Sequence, residues 1–508
     1  MLGPAKSRRL DKPITVSLEA LVPTGNFYRH LEAKLDLGFV REWTQDHYAE
    51  RGRPSIDPVV FFKLQLVMFF EGIRSERKLI ETASLNLAHR WYLGYALDEK
   101  LPDHSSLSRI RQRLGIDTFQ RFFEKIVDLC QEAGLVWGKE LYFDATRVRA
   151  DADTDSLVPH FYAAAKDHVA DIFADSPEST EEPLPPLDDA LLHLPKGTGQ
   201  TDGALQEPRV ARWNLLEERR LAPGRPSHRG YRRTSDYWVS TTDPDATPMW
   251  TAGKARLGYH DHYVVDGGKR RIILAALVTP ADVMENQPML DLLWRVRFRR
   301  KLHPRQATGD TTYGTVENIV ALEDAGIRAY VPLPNMNHRR PFYSQDNFAY
   351  DAAHDAYHCP AGHALSRERI KHSEGVIVYR ADAATCNACP LKTECTESSR
   401  GRIVHRSLYA DYLEKVRGYH ATEAYKKAMR KRQVWVEPLF AEAKLWHGLR
   451  RFRRRGLENV NIEGLLIAAG QNLKRFLAAT GWGQRHAPCG SLLALQVIPG
   501  WLSAVSGS

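Results

Sequence analysis

Leu141-Tyr142-Phe143-Asp144-Ala145-Thr146 reads as a β-strand in which apolar and aromatic residues lead to a single acid. Further along, Ala307-Thr308-Gly309-Asp310 repeats the arrangement in shorter form. Acids at the polar ends of two strands can meet at one edge of a sheet. A phosphodiester can be attacked in line when two divalent ions, about 3.5 to 4 Å apart, steady the entering and leaving oxygens. Such hard cations are held by oxygen ligands converging from different elements. A third acid should then come from a helix. Glu437, in Gln433-Val434-Trp435-Val436-Glu437-Pro438-Leu439-Phe440, is the best placed, because the apolar run before it should bury that end of the segment. Lys444 repeats its face two turns on, where an ammonium would lie beside a phosphate. Glu442 has no such lead-in and reads as a salt-bridge partner. Taken singly, an acid at a strand end is more often a turn or cap residue than a metal ligand.

Outward from these strands, His260 to Val265 and Arg271 to Val278 form a predicted hairpin joined by Asp266-Gly267-Gly268. A helix over Met284 to Val296, a strand over Gln306 to Asp310, a helix over Thr315 to Ala325 and a strand over Ile327 to Pro332 follow. Strands first, then strand alternating with helix, make an α/β fold with a mixed sheet. Before it, from Pro54 to Gly134, the pattern is helical. Val59 to Phe70 is apolar almost all round and should be buried. Ser75 reads as the cap of a second helix. A third starts near Ser105, with Leu107, Ile110 and Leu114 on one face, Arg109, Arg111, Gln112 and Arg113 left for another, and Gly115 as its stop. A fourth opens at Asp117 with Gln120 in capping-box spacing.

Residues 150–235 begin with a predicted helix, Val158 to Phe173, and then become rich in Pro, Glu, Asp, Ser and Gly, as a flexible insertion does. Tyr412 to Leu477 is helical and basic. The expected organisation is therefore a leader (1–50), a helical domain (51–136), the first part of the sheet domain (137–335), a cysteine-rich insertion (336–409), a final helical part of the sheet domain (410–480) and a tail (481–508).

The sequence has 508 residues, 43% hydrophobic and 26% charged, which fits a soluble multidomain chain and excludes a disordered or fibrous one. Its net charge of +9 favours a polyanionic partner. No apolar run has the roughly 18 to 20 residues of a membrane span, and Met1 to Lys12 lacks the apolar core of a signal peptide, so a cytoplasmic protein is expected. Of six cysteines, four are Cys359, Cys386, Cys389 and Cys395. Their CxxC pair and close spacing suit tetrahedral zinc in a reducing compartment, with His358 or His363 as a substitute ligand. The contrary reading is a set of buried free thiols. Cys130 and Cys489 look structural.

The ordered motifs together resemble bacterial insertion-sequence transposases of the DDE class. LYFDATRVRADAD is similar to their first-aspartate motif, STTDPDATPMW with LGYHDHYVVDG to the strands after it, ATGDTTYGTVENI to the second-aspartate motif and RQVWVEPLFAEAKLWHGLRRFRRRG to the glutamate motif. The resemblance runs from roughly Pro54 to Leu477. It implies an RNase H-like mixed sheet with flanking helices and a helix-turn-helix-like N-terminal domain. It also implies a triad of Asp144, Asp310 and Glu437 holding two Mg²⁺ or Mn²⁺ ions, assisted by Lys444. The implied activity is binding of the element's terminal inverted repeats, metal-dependent DNA cleavage and strand transfer. The implied partners are double-stranded end and target DNA, and a second copy on that DNA, in the nucleoid. The chain departs from the wider pattern before Glu437. Gln433 stands at the usual arginine position, Arg432 lies one residue earlier, the tyrosine is absent, and Pro438 places a helix start at Glu437. The run Arg450, Arg451, Arg453, Arg454 and Arg455, with Arg432 and with Arg109, Arg111 and Arg113, supplies the expected DNA-binding cations. The other readings weighed are a non-catalytic DNA-binding relative and an RNase H-like nuclease; the first would be marked by a missing acid, and all three acids are present.

Overall fold

The computed structural model describes residues 15–48, 55–159, 231, 238–251, 253–334 and 342–483. At its centre lies β1 (Glu140–Arg149), which has a neighbouring strand on each edge and is buried along Leu141–Asp144. After a small pair formed by β2 (Leu157–Pro159) and β3 (Trp238–Ser240), the chain returns as β4 (Thr247–Thr251), β5 (Lys254–Asp266) and β6 (Ile273–Pro280). β5 lies antiparallel to β1, and its 13 residues are long enough to take β4 and β6 in succession along its other side. Asp266 fixes the β5–β6 turn where the sequence places it. Its carboxylate accepts from Gly268 N and also from Trp137 N and Gly138 N, so one side chain ties the hairpin to the entrance of β1.

β7 (Gln306–Thr308) runs parallel to β1 and β8 (Arg328–Tyr330) runs parallel to β7. Parallel neighbours require crossovers, which are the helices Met289–Arg300 and Val316–Asp324. The sheet is thus mixed and RNase H-like, in the order β4-β5-β1-β7-β8 with β6 beside β5. The first crossover helix starts later than the sequence pattern predicts. Pro288 is its N-cap, and proline disfavours helical geometry in the residue before it, which frees residues 284–287 from the helix.

The N-terminal helices are α1 (Leu18–Leu21), α2 (Phe27–Lys34), α3 (Phe39–Thr44), α4 (Pro58–Phe70), α5 (Glu76–Leu85), α6 (Leu87–Leu93) and α7 (His104–Glu132). The expected leader is corrected here, for residues 15–48 bury Tyr28, Leu31, Leu35, Leu37 and Val40 in the main core. α1 and α3, of four and six residues, carry too few turns to show a periodicity, whereas α2 is amphipathic and buries Tyr28 and Leu31. α4 is buried as expected, and Ser75 caps α5 by accepting from Lys78 N. Gly115 is a kink rather than a stop. Its backbone (φ 62°, ψ 170°) leaves the helix for one residue inside α7, and Glu458 accepts from the Ile116 N–H at 3.2 Å. The capping box expected at Gln120 is replaced by a bond from its amide to Glu124.

Of the predicted 150–235 insertion, 160–230 and 232–237 lie outside the described residues, as does most of the helix expected over 158–173. Residues 157–159 are strand. The tail from 484 onward, with Cys489, is also outside them. The cysteine-rich segment builds a sheet of its own, five antiparallel strands from β9 (Ala349–Asp351) to β13 (Ile403–Ser407) around Phe348, Tyr357, Leu365 and Tyr379.

The last helix, Leu457–Ala479, covers the open edge of β6. Asn461 pairs its amide with both backbone groups of Val278, and Asn472 does the same with Ile273, at 2.8–2.9 Å. Eleven residues of helix at about 1.5 Å rise and five residues of strand at about 3.3 Å rise both span roughly 16.5 Å, so the two clamps are in register. Close approach on the other side of this helix needs Gly470, where a Cβ would lie 2.6 Å from the Phe69 ring. Asn472→Ala leaves a buried N–H and C=O without partners. It should cost about 2 to 4 kcal/mol in a denaturant titration, and an unchanged midpoint would show that the clamp carries no stability.

Candidate active site

Side chains alternate along β1, so Glu140, Tyr142, Asp144 and Thr146 share the face opposite Leu141 and Phe143. Each of the four meets a residue from the C-terminal helical segment. Lys431 reaches Glu140 at 2.6 Å and lies over the Tyr142 ring, Arg432 reaches Asp144 at 3.1 Å, and Lys444 reaches Thr146 Oγ1 at 2.5 Å. Arg149 then bonds Arg450 O and Phe452 N through its backbone. The C-terminal segment therefore follows β1 from one end to the other.

Asp310 arrives beside Asp144 through strand register. Tyr142 pairs with Thr308, the last residue of β7, in the parallel β1–β7 ladder; Asp144 stands two residues further along β1, and Asp310 two residues past the end of β7. Gly309 allows this, because a Cβ there would meet the Tyr313 ring at 2.7 Å. Asp310 also accepts from Thr312 N at 2.8 Å, which orients its carboxylate. Burial pushes Asp144 up to about 6, with Asp310 and Glu437 adding to the rise, while Arg432 and the Ala145 N–H oppose it.

Glu437 opens its helix, as Pro438 implies. The helix Glu423–Trp435 ends, Val436 breaks the path, and Glu437–Trp446 continues with Pro438 in its first turn. Val436 is fully buried and anchors the break, although Val434 is 56% exposed, so only part of the predicted apolar lead-in packs. Glu442 is held by Lys474 at 2.6 Å, Arg475 at 2.9 Å and Gln471 at 3.2 Å, which is the salt-bridge role its sequence context indicates.

Glu285 is the acid that sequence reading missed. It lies 3.5 Å from His260, and burial followed by Asp310 and Asp144 pushes it up to about 7. Its position after the apolar strand β6 was the available signal, hidden because the segment reads as a helix start. Burial drives the neighbouring His260 down to about 4, so it is neutral at pH 7. Among the described residues no three or more His, Cys, Asp or Glu side chains stand close enough together to hold a metal ion.

The expected DNA-binding arginines divide into two groups. Arg111 is 2% exposed and, with Arg454, is paired to Glu76 inside the protein. Arg453 holds Glu463 and donates to Arg74 O. Those three are corrected to structural cations, since their charges meet acids of the fold. Arg109, Arg113 and Arg450 are exposed, and Arg451 and Arg455 are half exposed against Asp151. Arg432 faces Asp144.

Cys359, Cys386, Cys389 and Cys395 line one cavity of about 180 Å³, and all four are free thiols. Burial raises the Cys395 thiol, Arg402 opposes this, and the other three cysteines add to it.

Residues 16–113 match the family model described as Transposase domain (DUF772), and residues 358–477 match the Transposase DDE domain. The two matches support an insertion-sequence DDE transposase. The first transposase match begins within the segment expected to be a leader, in agreement with its packing. The second contains Glu437, Lys444 and the four clustered cysteines, whereas Asp144 and Asp310 lie between the two matches. No curated protein and no solved structure matches the chain. No helix among the described residues is long and apolar enough to cross a membrane.

The division of the arginines is testable by unfolding. Arg111→Ala should lose about 3 kcal/mol, the low end for breaking a buried ion pair because Arg454 still faces Glu76. Arg109→Ala should stay within about 0.5 kcal/mol of the parent. Equal thermal midpoints for the two variants would contradict the assignment.

Proposed function

We propose that the chain binds the terminal inverted repeats of an insertion sequence and catalyses divalent-metal-dependent cleavage and strand transfer of its DNA ends. The observation that carries this reading is Asp144 on β1 with Asp310 just past the end of its parallel neighbour β7, both Asp310 and Glu437 being near enough to raise the Asp144 carboxyl. Two further carboxylates that disfavour the charge of Asp144 complete a donor set suited to hard cations. Mg²⁺ or Mn²⁺ held by Asp144, Asp310 and Glu437 would supply the charge that steadies the entering and leaving oxygens of a phosphodiester. Arg432 holds the Asp144 carboxylate in place. Lys444 uses one donor on Thr146 and has others for a phosphate oxygen beside the acids. Arg109 and Arg113 on α7, with Arg450, Arg451 and Arg455 beyond β1, offer the cations for duplex DNA, and the joining of two ends calls for a second copy.

Cleavage of labelled repeat-end DNA in Mg²⁺ is the test. Asp144→Asn, Asp310→Asn and Glu437→Gln should each reduce cutting and strand transfer by roughly a thousand-fold or more, in line with loss of a group acting in the transition state, with end binding retained. Glu442→Gln should cut within several-fold of the parent. Undiminished cutting by any of the first three variants removes that acid from the site.

The cysteine cavity is proposed to hold one structural zinc, because four thiolates can close a tetrahedron with no open position. Protein purified without added metal should contain about one zinc per chain. Folded, reduced protein free of zinc would favour the free-thiol reading.

A further inference from the structure

Lys431 and Arg432 point to different places. Arg432 meets Asp144, whereas Lys431 lies at the other end of the same β1 face, against Glu140. Four residues of strand separate those acids, about 13 Å. Around Lys431 opens a cavity of about 930 Å³ between the start of β1, the β5–β6 turn and the helix Glu423–Trp435. Trp137 and Trp435 line it, and the Lys431 ammonium stands 5.5 Å and 4.8 Å from their ring centres. Its rim carries Lys269, Arg270, Lys427 and Arg430, all exposed and none within salt-bridge distance of an acid among the described residues.

The walls are fixed in advance. Trp435 donates its indole N–H to Gly268 O at 3.0 Å, and Lys431 is bound by Glu140 and by Gly267 O at 2.6 Å. Trp137 has no such tether and is 51% exposed. Exposed cations around one exposed ring, Trp137, and one half-buried ring, Trp435, match the chemistry of a nucleic-acid strand, whose phosphates meet the rim and whose bases stack on the rings. A duplex would use only the cations, because its base faces are covered by one another. The rings therefore select an unpaired strand.

We propose that this groove binds a short unpaired segment of DNA strand, at the end of β1 away from Asp144. The proposal rests on the DNA-cleaving reading for the identity of the strand, yet its binding can be measured without cleavage. Full-length protein in EDTA is titrated against a fluorescein-labelled oligothymidylate and, separately, against a blunt duplex of equal length. Trp137→Ala and the double change Lys427→Glu with Arg430→Glu should each weaken oligothymidylate binding roughly ten-fold or more. Trp137→Ala should leave duplex binding within two-fold, and Trp137→Phe, which keeps a ring, should recover most of the single-strand affinity. Single-strand binding untouched by Trp137→Ala and by the double variant overturns the proposal. So does an equal loss on duplex for Trp137→Ala, which would make the groove a general phosphate site. Asp144→Asn separates the two readings, since it should lose cleavage of repeat ends while keeping the oligothymidylate affinity of the parent. If the parent cuts no DNA but binds the oligothymidylate through Trp137, the cleavage reading fails and the groove stands.

Discussion

The contact between Asp144 and Arg432 joins parts of the chain that are distant in sequence, and much of the architecture follows from it. A carboxylate on a central strand, buried by the sheet around it, is costly unless a cation or hydrogen-bond donors meet it. Arg432 is that cation, and the helix that carries it must then lie along the polar face of β1. Lys431 on Glu140 and Lys444 on Thr146 extend the same constraint to both ends of the strand. The break at Val436 sits within this ladder, so Glu437 is delivered near Asp144 by the same contacts that hold the helices down.

The clamp on β6 supports this arrangement from behind. Sheet edges present unpaired backbone groups, and here two asparagine amides from one helix satisfy four of them. Because that helix follows Arg450–Arg455 directly, its register also fixes where the arginine run can lie. The consequence is a division of labour within a uniform-looking stretch: Arg453 and Arg454 face Glu463 and Glu76 inside, and Arg450, Arg451 and Arg455 remain towards solvent. Buried ion pairs of this kind lend specificity to a fold more readily than net stability.

The sequence by itself determined the elements whose signal is local. The β1 strand, the β5–β6 turn at Asp266, the buried helix α4, the cap at Ser75 and the helix start at Pro438 all follow from hydrophobic period, turn chemistry or the missing proline N–H, each readable within a few residues. The candidate acids Asp144, Asp310 and Glu437 were legible for the same reason, as acids placed where apolar runs end. Tertiary structure alone decided what depends on a distant neighbour. It packed the short helices of residues 15–48 into the core, made a kink of Gly115 with Glu458 across it, and turned Glu285 towards Asp310 once Pro288 delayed a helix. It also chose which arginines are buried, because the charge of a side chain is written in the sequence, but the acid it meets is set by the packing of elements hundreds of residues apart.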